Sequence, residues 1–206
     1  MLSSNPKEVA RLEHYYTAEP ASEHRVTRVS AVLRGQALSF VTDSGVFSRE
    51  AVDFGTRLMV EALPPLSGRV LDLGCGWGAL SLPLAIVYPG LSLTCVDINR
   101  RALALCQENA ASLGVKADIL ESDGFSAVTG VFDAILTNPP IRAGKAVYYP
   151  WFEQSFHHLA PNGLFACVVQ KKQGAPSVKK ELARVYGDCQ VIAREAGYWI
   201  LTAQRR

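Results

Sequence analysis

From residue 69 onward the chain alternates short apolar runs with longer amphipathic ones, and this rhythm constrains its fold more than any other feature. The pattern predicts strands over 69–73 (RVLDL), 92–96, 117–121, 132–136 and 163–170. Helices are predicted near 79–88 and over 99–112, 146–159 and 176–186. A helix between two strands carries the chain back to the starting edge, so consecutive strands lie parallel and helices cover the sheet. The end of the chain breaks the rhythm. CQVIARE (189–195) and YWILTAQ (198–204) read as strands, and Ala196-Gly197 between them leaves no room for a crossover helix. The predicted fold is an α/β, Rossmann-like, doubly wound and mostly parallel sheet whose last strand is antiparallel.

Ahead of the rhythm, VSAVLRGQALSFVT (29–42) sets two β-prone runs around Arg34-Gly35-Gln36 and predicts an N-terminal β-hairpin. Between Arg49 and Leu63 the residues Val52, Leu58, Met59, Ala62 and Leu63 approximate a helical stripe, which Pro64-Pro65 stops. The expected organisation is one globular unit in two parts: an extension over 1–48 carrying the hairpin, and an α/β domain over 49–206. A chain of 206 residues with 49% hydrophobic and 19% charged residues supports one substantial core. Its net charge of +2 allows a nucleic-acid surface only as a local patch. The opening MLSSNPKEVARLEHYY holds no apolar core of signal-peptide length, and no apolar stretch approaches the ~20 residues of a membrane span. Five cysteines (75, 95, 106, 167 and 189) form no C-x-x-C pair, and their odd number suits a reducing compartment. The expected location is the cytoplasm, with the cysteines as small, mostly buried residues and no metal site.

Open α/β sheets bind ligands beyond the carboxyl ends of their strands, so residues following strands are the candidates. The first predicted strand runs into VLDLGCGWGAL (70–80), where Gly74, Gly76 and Gly78 allow a tight turn and close backbone approach to a ligand. The spacing is G-x-G-x-G, not the G-x-G-x-x-G of dinucleotide sites. Asp72, two residues ahead of the first glycine, suits a ligand ammonium better than a pyrophosphate. The second strand ends at Asp97, placed to accept two ribose hydroxyls or, alternatively, to cap the helix that follows. The third ends in ESDGF, where Asp123 either accepts from an exocyclic adenine amine or belongs to a plain Asp-Gly turn.

TNPPIRAGK (137–145) follows the fourth strand. Each proline fixes φ near −65° and lacks an N–H, so neither fits inside a sheet, and the pair forms a rigid ledge. The ledge is either strand-end punctuation or a holder of two fixed acceptors, the Asn138 side-chain oxygen and the Pro139 carbonyl. An aromatic exocyclic amine is a weak nucleophile because its lone pair is delocalised. Two acceptors, each taking one N–H, let that nitrogen pyramidalise in a near-attack position. Arg142 and Lys145, with Lys171 and Lys172 after the next strand, are either a phosphate-binding rim or solvated surface charge. Trp151, Phe152 and Phe156 are spaced for the core side of a helix.

VLDLGCGWGAL, CVDIN, ESDGF and TNPPI occur in the order and spacing of the class I S-adenosylmethionine-dependent methyltransferases, which the chain resembles over roughly residues 66 to 203. More narrowly, TDSGVFS (42–48), NPPIRAGK and KKQGA (171–175) resemble the "small domain" type related to ribosomal RNA small-subunit guanine-N2 methyltransferases of the C type. The resemblance implies S-adenosylmethionine as cofactor, held by Asp72, Gly74, Gly76 and Gly78 around its methionine part, Asp97 and the adjacent Ile98 at the ribose, and Asp123 at the adenine. It puts Val46 and Phe47 of the segment that closes over the cofactor near it, with ordinary core as the alternative for Phe47. It implies Asn138 and Pro139 as catalytic, Asn138 also beside the cofactor, and Pro140 and Ile141 against the substrate base. Relatives carry an aromatic residue at position 141, where this chain has isoleucine. The expected substrate is RNA, with guanine N2 of ribosomal RNA foremost. Rival readings are a protein glutamine-amide methyltransferase and an RNA- or ribosome-binding assembly factor without turnover.

Overall fold

The computed structural model describes residues 17–20 and 22–206; residues 1–16, on which the signal-peptide reading rests, and Ala21 lie outside the described residues. The elements in chain order are β1 (Thr27–Leu33), β2 (Gln36–Thr42), α1 (Phe54–Ala62), β3 (Arg69–Leu73), α2 (Ser81–Val87), β4 (Ser92–Asp97), α3 (Arg100–Ser112), β5 (Ala117–Glu121), β6 (Phe132–Thr137), α4 (Lys145–His158), β7 (Leu159–Gln170), α5 (Ala175–Tyr186), β8 (Gln190–Glu195) and β9 (Tyr198–Gln204). Seven strands form one sheet in the order β5-β4-β3-β6-β7-β9-β8. The neighbours from β5 to β7 are parallel, and β9 runs antiparallel to both β7 and β8. The last strand of the chain is thus the antiparallel one, as expected, but it is inserted between β7 and β8. Both faces of β9 are apolar, with Ile200 and Leu201 fully buried, whereas QVIARE of β8 is mostly exposed and suits an edge.

Alternation along the strands divides the core. Val70, Ala134, Ala166, Val168 and Ile200 pack with residues of β1, β2, α1, α2 and α3 on one face. Leu71, Leu73, Ile135, Phe165, Val169 and Leu201 pack with α4 and α5 on the other. The first face includes the hairpin, whose turn residues Arg34 and Gly35 both have positive φ (47° and 76°). Arg34 extends onto the carboxyl end of α1, donating from Nε to Val60 O at 2.6 Å and from Nη2 to Leu63 O. Those carbonyls have no partner within the helix, so a guanidinium there both satisfies them and opposes the helix dipole. Buried Asn109 of α3 ties the hairpin to the loop after β3: its Nδ2 donates to Val41 O and Trp77 O, and its Oδ1 accepts from Val41 N. β7 starts four residues earlier than its apolar pattern suggests, through Asn162 at φ 63°, with a bulge against β6.

Candidate active site

The loops after β3, β4, β5, β6 and β7 surround a cleft of about 720 Å³ at the carboxyl ends of the strands. After β3 the backbone turns by donating Gly74 N and Cys75 N to Val96 O at 2.8 and 2.9 Å. Gly76 stands at φ 57°, and a Cβ there would meet nothing within 4 Å, so the loop presents bare backbone to the cleft. Gly78 has a different task. A Cβ on it would lie 2.4 Å from Leu82 Cδ1, so its absence lets α2 pack closely, and Gly78 is not part of the cleft wall.

Two carboxylates close the floor of this half. Asp72 is fully buried; Ser81 Oγ donates to its Oδ2 at 2.5 Å, and its Oδ1 has no protein partner although the residue borders the cleft. Burial, with Cys95 and Asp97 close by, pushes its carboxyl well above the ordinary value. Asp97 accepts from Gly76 N at 2.8 Å and from Asn99 N at 2.9 Å. Burial raises it too. The helix-cap alternative for Asp97 falls to Asn99, whose side chain accepts from Ala102 N at the start of α3. With about four lone-pair directions and two backbone donors, the Asp97 carboxylate retains acceptor capacity toward the cleft.

The opposite wall is built from Asn138, Pro139, Pro140, Ile141 and Arg142 after β6, Lys172 and Gln173 after β7, and Tyr198 of β9. Asn138 Nδ2 donates to Thr56 Oγ1 at 2.9 Å. Thr56 and Asp53, at the start of α1, also line the cleft. Tyr198 packs on Phe54, with ring centroids 5.6 Å apart. Burial and the Asp53 carboxylate hold the Tyr198 hydroxyl above its ordinary range.

Of the residues singled out in the sequence, Phe47, Asp72, Gly74, Gly76, Asp97, Ile98, Asn138, Pro139, Pro140, Ile141, Arg142 and Lys172 meet in this one cleft. Val46 does not: it is 1% exposed and belongs to the core beside the hairpin. Phe47, at 51% exposure, is not ordinary core, and its carbonyl accepts from Trp77 Nε1 at 2.9 Å. Asp123 is exposed beside the cleft, whose wall here is Ser122 and Gly124. Lys145 turns over the Tyr149 ring at 5.4 Å, and Lys171 is exposed off the wall, so two of the four predicted rim cations reach the cleft. Phe152 is fully buried, but Trp151 of the same helix face borders the cleft: a Cβ at Gly124 would come 2.5 Å from its Nε1.

Sequence reasoning missed Asp53 and Thr56. The signal was a helix cap, an aspartate followed three residues later by a threonine whose N–H it accepts at 3.2 Å. It also missed a convergence of thiols. Cys75, Cys95 and Cys106 bring their Sγ atoms within 4.8 Å of one another, all buried, from a loop, a strand and a helix that no local spacing links. Hydrogen bonding with Cys106 and burial hold Cys75 well above the ordinary thiol range.

The methyltransferase small-domain model matches residues 37–202. The chain belongs to the methyltransferase small-domain family. It is 41% identical to the uncharacterized protein YbxB of Bacillus subtilis (strain 168) over 94% of this chain and 98% of that one. It is 37% identical to ribosomal RNA small subunit methyltransferase C of Shewanella baltica over 79% of this chain and 47% of that protein. Among solved structures, the T. thermophilus 16S rRNA N2 methyltransferase RsmC in complex with AdoMet and guanosine superposes with a TM-score of 0.80, at 31% identity over 91% of this chain and 52% of that one. The chain therefore spans about half the length of these ribosomal RNA methyltransferases. Family members use S-adenosylmethionine, and the cleft fits that group. It offers an acceptor on buried Asp72 with no protein partner, bare backbone at Gly76 and a half-satisfied carboxylate at Asp97. Among the described residues no helix is long and apolar enough to cross a membrane.

Proposed function

We propose that this methyltransferase acts on an exocyclic amine of RNA, specifically N2 of guanine in ribosomal RNA. The observation that carries this reading is one cleft in which the acceptors after β3 and β4 face the Asn138-Pro139 ledge after β6. S-adenosylmethionine, when bound, supplies an electrophilic methyl group. In this reading Asp72 takes the cofactor's ammonium, the Gly74–Gly76 backbone lies along its methionine part, and Asp97, flanked by Ile98, accepts from its ribose hydroxyls. Asp123 is assigned to the adenine amine and Phe47 to the mouth over the cofactor. Asn138 Oδ1 and the Pro139 carbonyl each accept one N–H of the target amine, which localises the nitrogen lone pair toward the cofactor half. Pro140 and Ile141 pack against the base. Ile141 supplies contact area without the offset stacking of an aromatic ring. Arg142 and Lys172 meet backbone phosphates as the cations nearest the ledge, with Lys145 and Lys171 farther along the same path.

The names of the ribosomal RNA methyltransferase relatives support RNA as the acceptor, and the guanosine in the RsmC complex supports guanine. Incubation with labelled S-adenosylmethionine and small-subunit ribosomal RNA, followed by nuclease digestion and chromatography, tests it. Label in N2-methylguanosine is expected. Label confined to ribosomal protein, or transfer to neither acceptor with cofactor bound, overturns it in favour of an amide methyltransferase or a non-catalytic assembly factor.

A further inference from the structure

The Asn138 carboxamide is oriented by chemistry at the start of α1. Its Nδ2 donates to Thr56 Oγ1 at 2.9 Å and lies 3.5 Å from Asp53 Oδ2. A hydroxyl would accommodate either branch of an amide, because it donates and accepts; a carboxylate only accepts. Asp53 therefore decides which branch faces α1, and the Asn138 oxygen is directed away from the helix. Neither partner is loosely placed. Thr56 is 5% exposed, and its own N–H donates to Asp53 Oδ2 at 3.2 Å. Gly55 between them lies so close under Tyr198 that a Cβ would fall 2.7 Å from the ring, which locks this helix end against β9.

We propose that Thr56 and Asp53 are positioning residues that hold Asn138 Oδ1 toward the acceptor amine. This rests on the reading of Asn138 as an acceptor for that amine. The torsion of a terminal amide is broad and nearly two-fold, so packing alone discriminates its flipped state weakly. A flipped Asn138 would present N–H groups to an amine that itself must donate, and the acceptor geometry would be lost. The side chains that prevent the flip come from 82 and 85 residues earlier in the chain. They serve the helix cap and the amide together.

The test compares single-turnover methylation of ribosomal RNA with cofactor affinity in five variants. Thr56→Val should lower the single-turnover rate about threefold to tenfold, the span expected for one hydrogen bond, with the cofactor Kd within about twofold of wild type. Thr56→Ser should restore most of the rate. Asp53→Asn retains a capping side chain and should keep the melting temperature while slowing methylation. The double variant Thr56→Val/Asn138→Ala should be no slower than Asn138→Ala alone, because Thr56 acts through Asn138. Losses that multiply in the double variant would make Thr56 a structural residue and overturn the proposal. So would a Thr56→Val enzyme at the wild-type rate while Asn138→Ala is impaired, an outcome that leaves the acceptor role of Asn138 standing. Asn138→Ala at the wild-type rate removes both. Should Thr56→Val fail to fold, Asp53→Asn carries the test: a wild-type rate there while Asn138→Ala is impaired overturns the proposal.

Discussion

The two walls of the cleft are constructed on different principles. On the β3–β4 side the polar groups sit at the ends of their strands with fixed local partners: half-buried Asp97 accepts two main-chain N–H groups, and fully buried Asp72 accepts from Ser81 Oγ. On the β6–β7 side they are side chains from the start of α1, the turns after β6 and β7, the end of β7, and β9, several of them half-exposed. The first wall resembles a mould for one small ligand, rigid because its backbone is. The second is assembled from parts that each fold for another reason, and it admits a large partner at an open rim. The contrast implies that damage to the first wall appears in cofactor affinity and damage to the second in rate and RNA binding.

The largest expected effect tests the first wall. Asp97→Ala should weaken S-adenosylmethionine binding by roughly 1.5–3 kcal/mol, the range for hydrogen bonds to a charged group. Much of the single-turnover rate should return at saturating cofactor. Calorimetry showing unchanged affinity in a folded variant would remove Asp97 from the cofactor site. Asn138→Ala should do the reverse on the second wall, leaving cofactor affinity near wild type and lowering the single-turnover rate about tenfold to a hundredfold. A matching loss of cofactor affinity would erase the distinction between the walls.

Asp72 sharpens the contrast through pH. Burial raises its carboxyl well above 3.8, so between that value and its folded pKa the folded apoprotein keeps a proton that the unfolded chain has released. Stability from this group is therefore present at low pH and lost as pH rises through the window, with a slope approaching about 1.4 kcal/mol per pH unit. Asp97 is raised by burial in the same direction. Urea melts across this range should show a steeper decline in wild type than in Asp72→Asn. A ligand ammonium favours the ionised carboxylate, so cofactor binding should release protons, read by calorimetry in buffers of different ionisation enthalpy, and Asp72→Asn should release fewer. Equal release in both proteins would separate Asp72 from the ammonium. The smallest expected effect is at the rim. Arg142→Ala or Lys172→Ala should flatten the logarithmic dependence of RNA affinity on salt by about 0.7, the value per phosphate on a single strand, with cofactor affinity unchanged. A wild-type slope would return that residue to the solvated surface.

The first wall was largely legible in the sequence because its residues follow strands at fixed offsets. The G-x-G-x-G loop, Asp72 and Asp97 sit where strand ends put them, and only Val46, Gly78 and Asp123 stand off the cleft wall. The second wall was half legible. The two prolines announce a ledge from their own stereochemistry, but the partners of Asn138 lie more than eighty residues away in a helix whose core stripe drew attention from its cap. The rim cations show the same limit: Arg142 and Lys145 are three apart, yet one lines the cleft and the other covers a tyrosine ring.

What depends on neighbours along the chain was readable without the fold: the strand and helix periods, the tight turns at Gly35 and Gly76, and the proline ledge. Local sterics and hydrogen bonding settle these within a few residues. Tertiary structure decided which strands pair, so that β9 with two apolar faces lies inside the sheet and charged β8 at its edge. It also decided which way the Asn138 amide turns and that three cysteines meet at the glycine loop after β3. Those outcomes depend on packing between segments distant in the chain, and no short-range preference distinguishes a side chain that faces a cleft from one that faces a core.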